Sequence, residues 1–274
     1  MVKYDRTGRV LGSIAIEGRC DGLRLNPGTG TLLALFNNDG QNGNPKRQPL
    51  LYTIDLSTLA ATKYEFGPVQ PHGGGYDDIA FIDGRAFLSA SSPTLSAAEI
   101  NDKPIVMMAT LTTAGRVKIA PIIKGDARVL NANSGAVTTM NFSDPDSLAV
   151  DAHNNLVVVG DNDQELLIIK NPGWSTQNAT RYGYGTQFDD VAWTSGTRGT
   201  LWIADTTQNA IYTVRAVFPQ GTVFGEGPSG IPVQSFIGTI DPGEIITPLL
   251  TQRDGVFSPT SLIFVPASFT ADGI

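Results

Sequence analysis

The chain has 274 residues and a formal net charge of −7, with 41% hydrophobic and 16% charged residues, so it can bury a real core as one large domain or two small ones. An acidic balance with no basic stripe to neutralise phosphates argues against a nucleic-acid partner. No apolar run approaches the roughly 20 residues that a membrane-spanning helix needs. The 30 glycines and 17 prolines indicate an ordered, turn-rich protein. Cys20 is alone, which removes an intramolecular disulfide and any thiolate metal cluster.

In chain order, "VKYDRTGRVLGSIAI" (2–16) reads as a pair of strands. From there, short apolar runs preceded by an acid recur: "CDGLRL" (20–25), "YDDIAF" (76–81), "PDSLAV" (145–150) and "FDDVAW" (188–193). "PTSLIF" (259–264) has the same shape with threonine in place of the acid. Second runs follow after a turn, at 29–39, 84–92, 154–163 and 198–209. Third runs follow at 50–56, 105–111, 165–171 and 210–216, and fourth strands at 61–66, 116–123, 179–184 and 244–250. These runs are rich in Val, Ile, Leu, Thr and aromatics, and are separated by Gly, Asn, Asp and Pro turns. The only helical candidate is "SPTLSAAEIND" (92–102), as a short helix within a loop.

Four-stranded antiparallel units repeated radially make a β-propeller. The reading is a single all-β domain, 1–274, of five blades, with six blades the alternative. The segments 2–16 and 261–266 are expected to share the closing blade, with 267–274 as its missing strand. A two-sheet sandwich would not explain why an acid recurs at one position.

The patterns "DSLAVDAHNNLVVVGDNDQELLIIK" and "FDDVAW…GTLWIADTTQNAIYTV" resemble NHL-type and SMP-30/gluconolactonase-type propeller repeats. Together with "GGGYDDIAF" and "SPTSLIFVP", the N-terminal stretch 2–39 is similar to poorly characterised bacterial secreted propeller proteins. The resemblance covers almost the whole chain and is specific for fold. It implies a secreted or periplasmic protein, with Met1 standing where a leader has been removed, because "MVKYDRTGRV" lacks signal-peptide character. It also marks a departure, since such proteins often carry a histidine where this chain has Thr260.

In a propeller the first strand of each blade lines the central channel. Aligning the runs on Leu23, Ile79, Leu148, Val191 and Leu262 puts Asp21, Asp77, Asp146, Asp189 and Thr260 in equivalent places at one channel mouth. Crowded carboxylates raise one another's pKa unless a cation sits among them. Oxygen ligands in a flexible cage suit Ca²⁺. The competing reading makes each aspartate a turn residue bonded to the backbone. Asp78 and Asp190 alternate to the other face and read as structural. Ends of second strands return to the same mouth, which places Asn37, Asn38, Ser91, Asp161 and Asp205 around the ring or against a ligand.

His72 precedes Asp77 and is the one candidate base, although "HGGG" is followed by no Gly-x-Ser-x-Gly elbow and reads first as a loop. His153 falls at the opposite face and is assigned no chemistry. "GEGPSG" (225–230) lacks the strand–turn–helix setting of a nucleotide site, and no nucleotide, haem or flavin is expected. "DNDQE" (161–165) lacks the glycine and distal glutamate of an EF-hand loop. Of Trp174, Trp193 and Trp202, the first is expected to be exposed. The loops 37–49 and 91–104 and the crossing 124–144 belong to the acidic face, and long loops gathered on one face mark binding or catalysis. The segment 216–235 is expected to cover the outer edge of the fourth blade.

Two function classes follow. One is a secreted module, expected to be monomeric, that holds a calcium-type cation or small polar ligand at the channel and a ligand or protein partner in its loops. The other is a metal-dependent hydrolase of the lactone or ester type. The lactonase-like families mix Glu, Asn and Asp around their metal, whereas the set here is nearly all Asp.

Overall fold

Runs of β-branched and aromatic residues broken by turn residues leave the chain little choice but short strands. In the computed structural model, which describes residues 1–5, 7–37, 48–227, 235–241 and 246–267, the described residues form strands, turns and one 3-10 turn, Gln252–Asp254, with no α-helix. The proposed helix at 92–102 is a series of bends and turns.

The N-terminal hairpin is β1 (Val2–Tyr4) and β2 (Val10–Ser13). Blade one is β3 (Cys20–Leu25), β4 (Leu32–Phe36), β5 (Leu50–Ile54) and β6 (Ala61–Glu65), in simple antiparallel order. Blade two repeats this with β7 (Ile79–Ile82), β8 (Arg85–Ser89), β9 (Pro104–Leu111) and β10 (Val117–Lys124). The crossing expected to be a loop at 124–144 holds a hairpin, β11 (Arg128–Asn131) and β12 (Ala136–Thr139). It extends blade three, made of β13 (Pro145–Val150), β14 (Leu156–Gly160), β15 (Glu165–Lys170) and β16 (Asn178–Gly183), by pairing β11 parallel to β16.

The last two blades interlace. β17 (Asp190–Trp193) is followed in sequence by β18 (Arg198–Asp205) and β19 (Ala210–Val217), but β17 pairs with β20 (Val223–Gly227). Blade four is therefore β17, β20, β21 (Phe236–Ile240) and β22 (Ile246–Thr251). The hairpin β18–β19 leaves to pair with β23 (Pro259–Pro266), giving blade five the order β19-β18-β23. The physical reason lies in β18, a strand of eight residues that pairs antiparallel over most of its length with β23 on one side and β19 on the other. β17 has only four residues and offers a shorter ladder. This corrects two expectations. The runs 198–209 and 210–216 belong to blade five, and 223–227 forms an inner strand rather than an outer cover.

The five-blade propeller is thus present, with β3 beside β7, β7 beside β13, β13 beside β17 and β17 beside β23. Apolar clusters fill each junction. Leu35, Tyr76 and Ile79 lie between blades one and two, Phe87, Phe142 and Leu148 between two and three, Val159, Phe188 and Val191 between three and four, and Leu201, Phe224 and Leu262 between four and five. The closing blade differs from expectation. β1 and β2 pair with each other, while β23 pairs with β18, so the two terminal segments do not share a sheet among the described residues. The hairpin instead rests on the free face of blade one. Met1 and Ile16 pack against Ala34, Phe36 and Ile54, and Lys3 Nζ donates to the Leu56 carbonyl at 2.8 Å.

Candidate functional site at the channel mouth

Four of the five aligned first-strand positions behave alike: Ile79, Leu148, Val191 and Leu262 are at most 4% exposed, but Leu23 is 49% exposed. Blade one breaks the pattern because Gly22, not Leu23, turns inward. A Cβ on Gly22 would lie 2.8 Å from the Asp77 carbonyl oxygen. Asp21 accordingly sits at the surface, paired with Arg19 at 3.2 Å.

Asp77, Asp146 and Asp189 do meet. The Asp146 and Asp189 carboxyl groups hydrogen-bond to each other, and Asp77 and Asp161 are close enough to add charge repulsion at Asp146. Burial, then the Asp189 charge, drives the Asp146 carboxyl far above the usual carboxylate range, and burial raises Asp189 as well. Two buried carboxyls in contact share a proton, since both cannot ionise cheaply. Asn37 Nδ2 donates to Asp77 Oδ1 and lies 3.3 Å from Ser91 Oγ, with both residues buried at the ends of second strands as anticipated. Asp161 is pushed up to about 7 by burial and by Asp189, Asp144 and Asp163. Thr260 is partly buried on β23, and Asn38 lies outside the described residues.

The member not read from the sequence is Glu226. It lies on β20 opposite Asp190, is 0% exposed, and has no hydrogen-bond partner among the described residues for either carboxylate oxygen. Burial, then the charges of Asp189, Asp190, Asp146 and Asp161, hold its carboxyl well above the usual range. The blade interlacing explains the miss. With 198–209 assigned to the second strand of blade four, Asp205 occupied the place that Glu226 takes. Asp205 instead ties down a turn, accepting from the backbone N–H groups of Gln208 at 3.0 Å, Phe257 at 2.7 Å and Ser258 at 3.2 Å. The usable signal was a glutamate flanked by glycines inside "VFGEG", because small neighbours let a large acid fill an interior strand.

His72 is enclosed by its own loop. Its ring is fully buried, with Nε2 2.6 Å from the Gly75 carbonyl and the ring 5.0 Å from that of Tyr76. The glycines after it allow close approach. A Cβ on Gly74 would stand 2.0 Å from the Ser91 carbonyl oxygen, and one on Gly73 would stand 2.2 Å from Thr94 Oγ1. Asp163 of "DNDQE" likewise serves a turn, accepting from Ser143 N at 2.6 Å and Asp144 N at 2.9 Å. Trp174 is exposed, with the Arg85 guanidinium 4.7 Å from its ring.

The second aspartates form a lower ring that joins blades. Asp78 Oδ2 accepts from Leu148 N at 3.0 Å, and Asp190 Oδ2 from Leu262 N at 2.8 Å, each reaching the first strand of the next blade. Arg24 supplies the counter-charge, donating to Asp78 at 2.7 Å and to the Ile79 and Leu148 carbonyls. The channel therefore carries two acid layers, of which the lower has a built-in cation, Arg24, and the upper has none among the described residues.

The upper layer fits a hard cation by donor type, all of it oxygen, and by its orphaned buried atoms: both Glu226 oxygens, Asp161 Oδ1 and Asn37 Oδ1. As they stand, no three His, Cys, Asp or Glu side chains among the described residues are placed to hold one metal ion.

No protein-family model and no curated protein matches the sequence. Solved structures do. The likeness is one of fold. A protein of unknown function from Bacteroides caccae aligns with a TM-score of 0.53 at 12% identity, over 95% of this chain and 77% of its own. A structure assigned to the gluconolactonases aligns at 0.48 and 12%, over 89% and 67%. The periplasmic gluconolactonase of Pseudomonas aeruginosa aligns at 0.40 and 12%, over 96% and 93%.

Proposed function

We propose that the upper acid layer binds a single hard cation, calcium by its donor chemistry, or a small cationic polar ligand, through Asp77, Asp146, Asp161, Asp189 and Glu226. The observation that carries this reading is Glu226, a wholly buried carboxylate with no partner for either oxygen, facing other carboxylates. An arrangement of this kind is costly unless something positive enters it. Bound there, a divalent ion would supply the missing counter-charge, and the side chains would draw in around it. Arg24 already neutralises the lower layer, so one ion is expected rather than two.

Elemental analysis of the purified protein and calorimetric titration with calcium test the proposal. At calcium 100-fold above Kd, mass action stabilises the folded state by about 2.7 kcal/mol. Glu226→Gln should lose most of that response. Absence of metal together with no calcium-induced rise in melting midpoint would leave the acids as a protonated, wet cluster and sink the reading.

A second reading, a metal-dependent hydrolase of lactone or ester type, draws on Asp161 rather than His72. Its carboxyl, raised to about 7 and with one oxygen unpartnered, suits a general base at neutral pH. A screen of lactones and aryl esters with wild type and Asp161→Asn tests it, since turnover that survives the substitution rules Asp161 out. A location in the periplasm or outside the cell rests on the sequence resemblance and is checked by fractionation.

A further inference from the structure

The outer edge of a propeller blade is a row of backbone N–H and C=O groups open to pairing. Chains blunt such edges with prolines, lysines, bulges, short strands or a covering element. Blades one to four are blunted in one or another of these ways. β6 carries Lys63 and ends in a bridge from Glu65 to Arg116 of blade two, whose guanidinium lies 3.1 Å from the Glu65 carboxylate. β10 contains Pro121, and its register slips between Pro121 and Ile123. β16 is covered by β11, which leaves β12, of four residues, as the edge of blade three. β22 contains Pro248, beside which its ladder with β21 also shifts.

Blade five is the exception. It has three strands, and β19 is its outer edge. β19 runs for eight residues, "AIYTVRAV", with no proline, no lysine and an unbroken register against β18. No described residue hydrogen-bonds to the backbone on its outward side. Tyr212 and Val214 pack against the apolar cluster between blades four and five, whereas Ile211, Thr213, Arg215 and Val217 stand on the open face. Ile211 is 69% exposed and Val217 67%. A long, flat edge flanked by exposed apolar side chains is the kind that takes up another strand.

The residues of β19 indicate which strand that is. Paired antiparallel with itself about Val214, the strand sets Ile211 of one copy opposite Val217 of the other, so an apolar pair forms at each end. Thr213 then stands opposite Arg215, and the two guanidinium groups never face each other directly. The two neighbouring registers lose this match. One sets Arg215 opposite Arg215, and the other sets Arg215 opposite Ile211.

We propose that β19 pairs antiparallel with β19 of a second copy across a two-fold axis, joining two three-stranded blades into one continuous sheet. A dimer thus replaces the monomer expected from the sequence. A seam of one strand from each copy buries less surface than an obligate interface, so the dimer dissociates on dilution.

Sedimentation velocity of the intact protein, from low micromolar to near-millimolar concentration, should show monomer mass giving way to dimer mass. Ile211 and Val217 are exposed in the single copy, so charges placed there leave the fold intact, as far-ultraviolet dichroism of each variant checks. Ile211→Lys with Val217→Lys should abolish the dimer, because like charges would then oppose each other at both ends. Ile211→Lys with Val217→Glu should restore it, because each ammonium would oppose a carboxylate of the other copy. Monomer mass at every concentration overturns the proposal, as does a dimer that survives the paired lysine substitutions. A dimer lost in both variants would place the contact in another register or elsewhere and overturn it equally. Outward β19 amides that stay protected from hydrogen exchange after dilution would mean that the chain covers its own edge, which also overturns it.

Discussion

Glu226 and Asp190 stand opposite one another on the β17–β20 ladder, and the chain keeps both away from water. The cost shows as pH dependence. Asp190 is pushed up to about 7 by burial and by Asp78, and Asp161 to about 7 by burial and Asp189, from an ordinary value of 3.8. Carboxyls raised in this way hold protons in the folded state that the unfolded chain releases. Their stabilising effect is complete below about 3.8 and is lost as pH rises through about 7. Metal-free protein should therefore melt at a lower temperature at pH 8 than at pH 5. For Asp190 alone the ceiling is about 4 kcal/mol. Thermal melts in chelator across this range check the sign, and a midpoint that climbs with pH contradicts it. Glu226→Gln should flatten the slope and raise the midpoint at pH 8, because it removes a buried charge without changing shape. Of the acids grouped at the mouth, Asp77, Asp146, Asp161 and Asp189 were legible from their place relative to the first or second strand. Asp21 was not distinguishable from them, because the inward turn of Gly22 is a register effect that the residue types do not announce.

At the scale of elements, the junctions between blades depend on side chains that cross from one first strand to the next. Asp78 accepts from Leu148 N of blade three and from Arg24 of blade one, so one carboxylate connects three blades. Asp78→Ala should cost about 2–3 kcal/mol. That is less than the loss for a fully buried pair, because the Arg24 side chain remains 34% exposed. Arg24→Met should cost less, and the double variant should cost less than the two single losses added together, since it leaves neither charge without its partner. Chemical denaturation of the four proteins measures the coupling, and strict additivity would show that the pair does not act as a unit. The alternation of the second aspartates made their structural role readable from sequence. Arg24 was not, because nothing in "DGLRL" shows which side of the channel its side chain crosses.

For the whole molecule, the decisive feature is how the ring ends. β1 and β2 bond to each other and rest on blade one through Met1, Ile16 and Lys3, whereas β23 is held by β18. Deleting residues 1–13 should therefore uncover Phe36 and Ala34 and loosen blade one, at a cost of about 2–4 kcal/mol by the area exposed. Blades three to five should keep their protection. Hydrogen exchange on the truncated chain distinguishes this from a shared closing blade, for which β18 and β23 would lose protection together with β4.

Composition and periodicity alone determined the all-β class, the propeller and most of the acid layer, because each depends on local alternation and turn chemistry that recur at regular intervals. The hairpin at 128–139, the exchange of β18–β19 into blade five, the arrival of Glu226 at the mouth and the separate N-terminal sheet were decided only by tertiary structure. These are choices of partner between strands of similar pattern. Such choices follow ladder length and the burial of facing side chains, which no single strand carries within itself.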